Sequence, residues 1–285
     1  MYKIIKTKDI QLKEIYNLMI SGISPRPIAF VSSLDSKGSN NLAPFSYFNA
    51  FGSSPPVIAF SPVNSGRTGK QKDTLLNIKE TKEFSVSIID YDMVEQASLS
   101  SCEYEKNIDE FIKSGFLKKE SSLISPPSVL NSPFIMECKL YDIIELGENP
   151  GSGNLILGEI VCFHIRENIL NNNNEIDPYK LDSIARLGYD YYSRSKDGLF
   201  EVFKPRYNGI GFDQLPTSIK ESERLTGNQL AKLAGIDVMP SKLDNFSNLD
   251  KLSSDDLYII VNDSLKENNI DEAWQAVIRI IEKDV

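Results

Sequence analysis

The sequence predicts a mainly β protein with peripheral helices, a barrel or sandwich, followed by a mostly helical C-terminal extension. Three observations lead there. Short runs of alternating apolar and polar residues recur through the first two-thirds of the 285 residues, the period of half-buried strands. Turn-forming residues separate these runs, as in folds built from many short strands. After Lys204-Pro205 the apolar spacing becomes helical, so the boundary falls between a domain at 1–205 and an extension at 206–285.

Residues 25–34 (PRPIAFVSSL) open the β pattern, and Asp35 to Ser39 supply a turn in which Gly38 can take positive φ. Residues 41–51 form the next run, and after Pro55-Pro56 comes another at 57–61. Phe84, Val86 and Ile88 alternate with Ser85 and Ser87, and Phe134, Met136, Cys138 and Leu140 share one face of 134–141. A long strand is expected over 154–166, with Ile160, Cys162 and His164 on one face.

Helices are expected near Asp73, whose side chain suits a cap, near Asp92 with Glu95 as a variant capping box, and over 108–114, closed by Gly115. Asn171 to Asn174 read as an exposed turn. In the extension, Thr226 to Gln229 form a capping-box signature and Gly235 can close that helix. Trp274, Val277, Ile278 and Ile281 fall at i, i+3, i+4 and i+7, one apolar helix face for the barrel or for a partner subunit.

Composition narrows the function. The net charge of -9 argues against a general nucleic-acid binder, which needs a basic face. No run approaches the roughly 18 to 20 apolar residues of a membrane span. The N-terminus alternates charged and apolar residues without a signal-peptide core, so a cytoplasmic location is expected. Cys102, Cys138 and Cys162 are widely spaced and lack a Cys-x-x-Cys pattern, and His164 is the single histidine. Disulfides, a zinc site and a histidine-based triad are therefore not expected.

Chemistry concentrates at residues 60–78. A strand ends at Ser61-Pro62, a loop carries Gly66, Arg67, Gly69, Lys70 and Lys72, and a helix starts at Asp73-Thr74. Three cations within six residues stand out in an acidic chain. They precede a helix N-terminus, whose free N–H groups favour an anion. Arg67 offers a fork of donors and Lys72 a point charge. The pattern is a phosphate cradle or a solvated basic loop. It is not a P-loop, because Asn64 and Gln71 stand where that motif needs Gly and Ser or Thr, and no Gly-x-Gly-x-x-Gly follows a strand. The run 40–50, with Phe45, Ser46, Tyr47 and Phe48, either walls a flat ring system or packs into the core.

With these residues in place the chain resembles the flavin-reductase-like, FMN-binding split-barrel family, which includes flavin reductases and flavoredoxins. The resemblance rests on an ordered set over about residues 20–195. It comprises Pro25 to Ser33, Asn41 to Asn49, Ser61-Pro62, Arg67, Lys72-Asp73-Thr74 with Asn77, Leu157 to Ile160, and Ala185 to Gly188. It implies a six-stranded Greek-key split barrel, a homodimer and one FMN per subunit.

Carried over by position, Phe45, Ser46, Tyr47, Phe48 and Asn49 would line the isoalloxazine. Ser61, Arg67, Lys72 and Thr74 would hold the phosphate, with Asp73 there or capping the helix. Arg26 and Arg186 stand near the flavin or in structural ion pairs. The implied activity is that of an oxidoreductase passing hydride from NADH or NADPH to the flavin, and electrons on to free flavin, a partner oxygenase or an electron-transfer protein. Gly153 stands where related reductases often carry a histidine, which keeps open a flavoredoxin-like carrier without nicotinamide-driven turnover. Gly209 to Pro216 is similar to an extension of longer members.

Overall fold

The structure is a computed structural model and describes residues 1–106, 108–202 and 209–284. The chain divides into two compact units, Met1–Phe200 and Glu201–Val285. The boundary expected after Lys204-Pro205 lies outside the described residues.

The first unit is built on a seven-stranded sheet. Its strands are β1 (Ala29–Leu34), β2 (Asn40–Phe45), β3 (Phe48–Ser53), β4 (Pro56–Phe60), β5 (Glu83–Ser87), β6 (Phe134–Glu145) and β7 (Asn154–Ile165). All neighbours pair antiparallel in the order β2-β1-β5-β6-β7-β4-β3. The two edge strands, β2 and β3, are consecutive in the chain and separated by only Ser46 and Tyr47. Laid flat, six interstrand spacings of about 4.8 Å would hold those edges about 29 Å apart. Three Cα steps of about 3.8 Å span at most about 11 Å. The sheet therefore curls until its edges meet, which makes a barrel split between β2 and β3.

The expected single run at 41–51 is thus two strands. Phe45 and Phe48 both pack on the barrel core, and a spacing of three cannot put two side chains on one face of an unbroken strand. The other alternations hold. Phe84, Val86, Met136 and Cys138 are buried in that core, with Ile88, Phe134 and Leu140 against it. In β7 the expected common face of Ile160, Cys162 and His164 is corrected by a register shift between Ile160 and Cys162. Ile160 pairs with Cys138 and packs inward, whereas Cys162 pairs with Glu137 and meets it on the other face. A bulge of this kind re-aims the side chains beyond it.

Helices α1 (Leu12–Gly22), α2 (Asp73–Thr81), α3 (Val94–Leu99) and α4 (Glu110–Ser114) surround the barrel strands in sequence. Helix α4 is capped by the Asp109 side chain, 3.0 Å from the Phe111 N–H, and closes at Gly115 with φ 73°. Two expected caps are absent. Asp73 is the first helical residue of α2 and the cap position is Lys72, which makes no side-chain cap bond. A single turn at Tyr91–Met93 precedes α3, and Asp92 forms no capping box. A small sheet joins Arg26–Pro27, Ile184–Arg186 and Tyr192–Arg194.

The second unit is helical, with α5 (Gly227–Ala234), α6 (Ser254–Lys266) and α7 (Ile270–Asp284) around one apolar core. The Thr226/Gln229 capping box forms, and Gly235 ends α5. Trp274 and Val277 are buried in this core, with Ile281 against it, so the unit's own helices take the apolar stripe. The Trp274 indole N–H donates to the Leu233 carbonyl at 3.1 Å. Buried Arg279 is neutralised by Asp250 at 2.7 Å and donates to the Leu243 and Gln275 carbonyls. Among the described residues no helix is long and apolar enough to cross a membrane.

Gly158 of β7 is required by the core. A Cβ there would lie 2.3 Å from Cζ of Phe84, whose ring is fully buried and packs edge-on against Phe60 at 5.4 Å. Gly158→Ala is expected to cost about 1–3 kcal/mol through overpacking. Phe84→Leu in the same chain should recover part of that loss. Urea denaturation of the two single variants and the double variant checks this, and independent, additive effects would refute it.

Candidate functional site

The loop between β4 and α2 is shaped by its own backbone. Ser65 N–H donates to the Lys70 carbonyl at 2.9 Å and Gly69 N–H to the Ser65 carbonyl at 2.8 Å. Gly69 adopts φ 71°, the left-handed region that glycine enters without strain. Arg67 is thereby carried at the tip, while Lys70 and Lys72 stand where the loop meets α2. Asn154 supports the loop from below, donating from Nδ2 to the Pro62 carbonyl at 2.8 Å and to Oδ1 of Asn64 at 2.9 Å. With no side chain at the cap, the N–H groups of Asp73 and Thr74 have no acceptor among the described residues. Cations and free N–H donors therefore converge at one place.

That place is one end of a cleft of about 410 Å³ lined by Lys70, Lys72, Asp73 and Thr74, by Asn41, Pro44 and Phe45, and by Ser101, Glu103 and Tyr104. At Pro44 and Ser101 it meets a second cleft of about 340 Å³, which holds Ser46, Ile28, Ile184, Arg186 and Tyr192. A third, of about 630 Å³, adjoins the second along Ser98, Arg186 and Tyr192 and reaches Tyr91 and Arg194. Together they form a groove with cations at one end and a middle that sets Ile28, Ile89, Val94 and Ile184 beside Ser46, Arg186, Asp190 and Tyr192. Arg186 stacks on Tyr192 at 4.5 Å and Arg194 on Tyr91 at 3.8 Å.

A buried polar network backs the cationic end. Thr74 Oγ1 donates to Asn41 Oδ1 at 2.6 Å, and Asn41 Nδ2 donates to Glu110 Oε1 at 3.3 Å. The other Glu110 oxygen accepts the Leu42 N–H at 3.0 Å. Burial pushes the Glu110 carboxyl above its ordinary value, against the opposing pull of the Leu42 and Asn41 donors.

Of the residues picked from the sequence, Phe45, Lys72, Asp73 and Thr74 line the first cleft, and Ser46 and Arg186 the second. The others lie outside it. Arg67 is exposed and reaches the cleft only through its ion pair with Glu103. Ser61 faces Gly153 and Asn154, its Oγ accepting the Asn154 N–H at 3.0 Å. Tyr47 gives its carbonyl to the Ser61 N–H at 2.9 Å, Phe48 packs on the core, and exposed Asn49 accepts the Ala50 N–H at 2.8 Å. Arg26 is buried and pairs with no carboxylate among the described residues. Its guanidinium donates to the carbonyls of Ile20, of Ile23 at 2.6 Å and of Leu187 at 3.1 Å, and to Ser46 Oγ at 3.4 Å. It ties the end of α1 and the 187 loop behind Ser46.

Sequence reading counted Lys70 among the loop's cations and Asn41 within the family motif without giving either a role, and it passed over Glu110, Ser101 and Glu103. Lys70 and Asn41 stood inside the segments already singled out. Glu103 and Glu110 carried no local signal, because they reach the cleft from a separate stretch of chain.

A second polar cluster lies on the outer face of β6 and β7. The ligand atoms of Glu137, Cys162 and His164 lie within 4.8 Å of one another. Buried Glu137 accepts the N–H groups of Ser122 at 2.6 Å and Leu123 at 2.7 Å, and His164 Nε2 at 2.5 Å. Burial alone would raise its pKa, but these bonds together hold it below its usual range. The Lys119 ammonium stands 3.2 Å from His164 Nδ1, a charge that opposes a metal ion. The cluster fastens the 118–129 segment to the barrel.

The family is settled by comparison. A profile described as the flavin reductase like domain matches residues 21–183, and the chain belongs to this flavin reductase-like family. Its fold is similar to that of nitrilotriacetate monooxygenase component B from Bacillus cereus, 33% identical, with a TM-score of 0.65 over 72% of this chain and 98% of that one. It is equally similar to a 2-nitrobenzoate 2-nitroreductase from Pseudomonas fluorescens, 30% identical, TM-score 0.65, over 73% of this chain and 100% of that one. An uncharacterised protein from Aquifex aeolicus is 31% identical over 66% of this chain and 93% of its own length. Arg186 and the helical unit lie beyond the matched domain.

Because the native state holds the Glu110 proton more tightly than the unfolded chain, its contribution to stability is present at low pH. It declines as pH rises from about 4.5 through the higher native value. Glu110→Gln should abolish that decline. Urea midpoints measured across this range for both proteins check it, and parallel profiles would exclude Glu110 as the source.

Proposed function

We propose that the chain binds FMN in this groove and acts as a flavin-dependent oxidoreductase, with NADH or NADPH as electron donor. The observation that carries the proposal is the junction, in one groove, of an anion-binding end with a cleft walled by Ile28, Ile89, Val94, Ile184 and Tyr192. The donor set fits the cofactor. Lys70, Lys72 and the N–H groups of Asp73 and Thr74 would hold the phosphate, with Arg67 closing from the loop tip. Phe45, Pro44 and Ser46 would bound the ring, and Arg186 with Tyr192 the far end. Thr74 already commits its hydroxyl proton to Asn41, so its backbone is the better donor. Tyr47, Phe48, Asn49, Ser61 and Arg26 would act by holding these groups in place.

When bound, the flavin supplies reversible hydride and single-electron chemistry, and the protein's part is to bind, orient and shield it. Membership of the family and likeness to a monooxygenase component support electron delivery to a partner oxygenase. The exposed side chains of Leu12, Tyr16 and Met19 recur at i, i+4 and i+7 along α1, and an apolar helix face open to solvent supports a homodimer. Sedimentation should give twice the chain mass of 32.0 kDa.

One observation favours a flavoredoxin-like carrier. Gly153 brings no ionisable group, and a Cβ there would sit 3.0 Å from Ser61 Oγ, so the backbone is packed where related reductases often carry a histidine.

The visible spectrum of the purified chain, loaded with FMN and desalted, separates the readings. Retained flavin bleached anaerobically by NADH or NADPH supports the oxidoreductase, and bleaching by dithionite alone supports the carrier. Failure both to retain flavin and to turn over NAD(P)H with added FMN would overturn both. Replacing Arg67 and Lys72 together with Ala should weaken FMN binding at least tenfold, as expected for the loss of two charge-assisted contacts. Unchanged affinity would remove the phosphate assignment.

A further inference from the structure

The cationic end of the groove is met by an anion of the chain's own. Glu103 lies in the segment after α3 that walls the cleft opposite the loop. One of its carboxylate oxygens pairs with the Arg67 guanidinium, and the other lies 3.9 Å from Lys72 Nζ. A single carboxylate thus bridges the two cations whose placement suits a phosphate. The three side chains are exposed, at 80% for Arg67, 43% for Lys72 and 58% for Glu103. Such pairs are individually weak and readily exchanged for another anion.

We propose that Glu103 is a tethered competitor for the phosphate end of the groove, a residue that sets affinity and specificity for phosphorylated flavin. The inference rests on the phosphate assignment made above. A ligand phosphate and the Glu103 carboxylate seek the same two cations, so binding requires Glu103 to leave or to share them at close range with a second negative group. A phosphate carries close to two charges at neutral pH and adds the N–H groups of Asp73 and Thr74, which the carboxylate does not use. The exchange therefore favours FMN, at an affinity lowered by the cost of displacing Glu103. A flavin without phosphate leaves the Glu103 pairs intact and gains nothing from their removal.

The test is equilibrium binding of FMN and of riboflavin to the full-length apoprotein, wild type and Glu103→Gln, followed by quenching of flavin fluorescence. Glu103→Gln should tighten FMN roughly three- to tenfold, the equivalent of losing two exposed ion pairs, and leave riboflavin unchanged. Glu103→Ala should do the same, which separates loss of charge from a new amide contact. If wild type prefers FMN to riboflavin but neither variant binds FMN more tightly, the competitor role is wrong and the phosphate assignment stands. If wild type binds both flavins equally, the phosphate assignment falls and this inference falls with it. Equal tightening of both flavins would show that Glu103 acts on the groove as a whole, which also overturns the proposal.

Discussion

Closure of the barrel through the Ser46-Tyr47 link is the constraint on which the first unit depends. Because the two edge strands follow each other in the chain, the seven-stranded sheet has to curl until they meet. The link cannot lie flat on either strand. It carries Phe45 and Phe48 inward on both sides and turns Ser46 out to the groove. Arg26 secures this arrangement by donating to three carbonyls and to Ser46. A buried guanidinium without a carboxylate is costly unless its donors are satisfied, and here four oxygens of three chain segments surround it. The residue that resembles a ligand contact is thus a clamp at the closure point.

The groove follows from this closure. Strand β2 ends at the link, and its last residues, Pro44 and Phe45, form one wall beside the start of α2. The loop before α2 gathers cations in a chain of net charge -9, and its rigidity is local, built from a turn closed by main-chain bonds and Gly69. The network of Thr74, Asn41 and Glu110 joins α2, β2 and α4 behind it. Charge on the surface is free to exchange partners, while the frame that carries it is buried and hydrogen-bonded.

The register shift in β7 separates two jobs along one strand. Before it, Ile156 and Ile160 serve the barrel core, and Gly158 makes room for Phe84. Beyond it, Cys162 and His164 turn outward to Glu137, which fastens the 118–129 segment by two main-chain N–H groups. A histidine that the chain carries only once is therefore used in architecture, away from the groove.

The sequence by itself determined the alternating strands, the split into a β-rich part and a helical part, the Thr226 capping box and the basic loop ahead of a helix. These are local properties, set by side-chain period and by residues one to four positions apart. The ordered motif over residues 20–195 carried the family, which the match over 21–183 bears out. Only the tertiary structure decided that 41–51 is two strands, that Ile160 and Cys162 face opposite ways, and that Lys72 rather than Asp73 holds the cap position of α2. The sites of Arg26 and Ser61 behind the groove, and the meeting of Glu103 with Arg67 and Lys72, were likewise invisible in the sequence. Each depends on where a distant segment lies: the partner strand that shifts the register, the edge that closes the barrel, the stretch after α3 that brings a carboxylate across the cleft. A pattern read along one chain segment holds no record of what the fold will set against it.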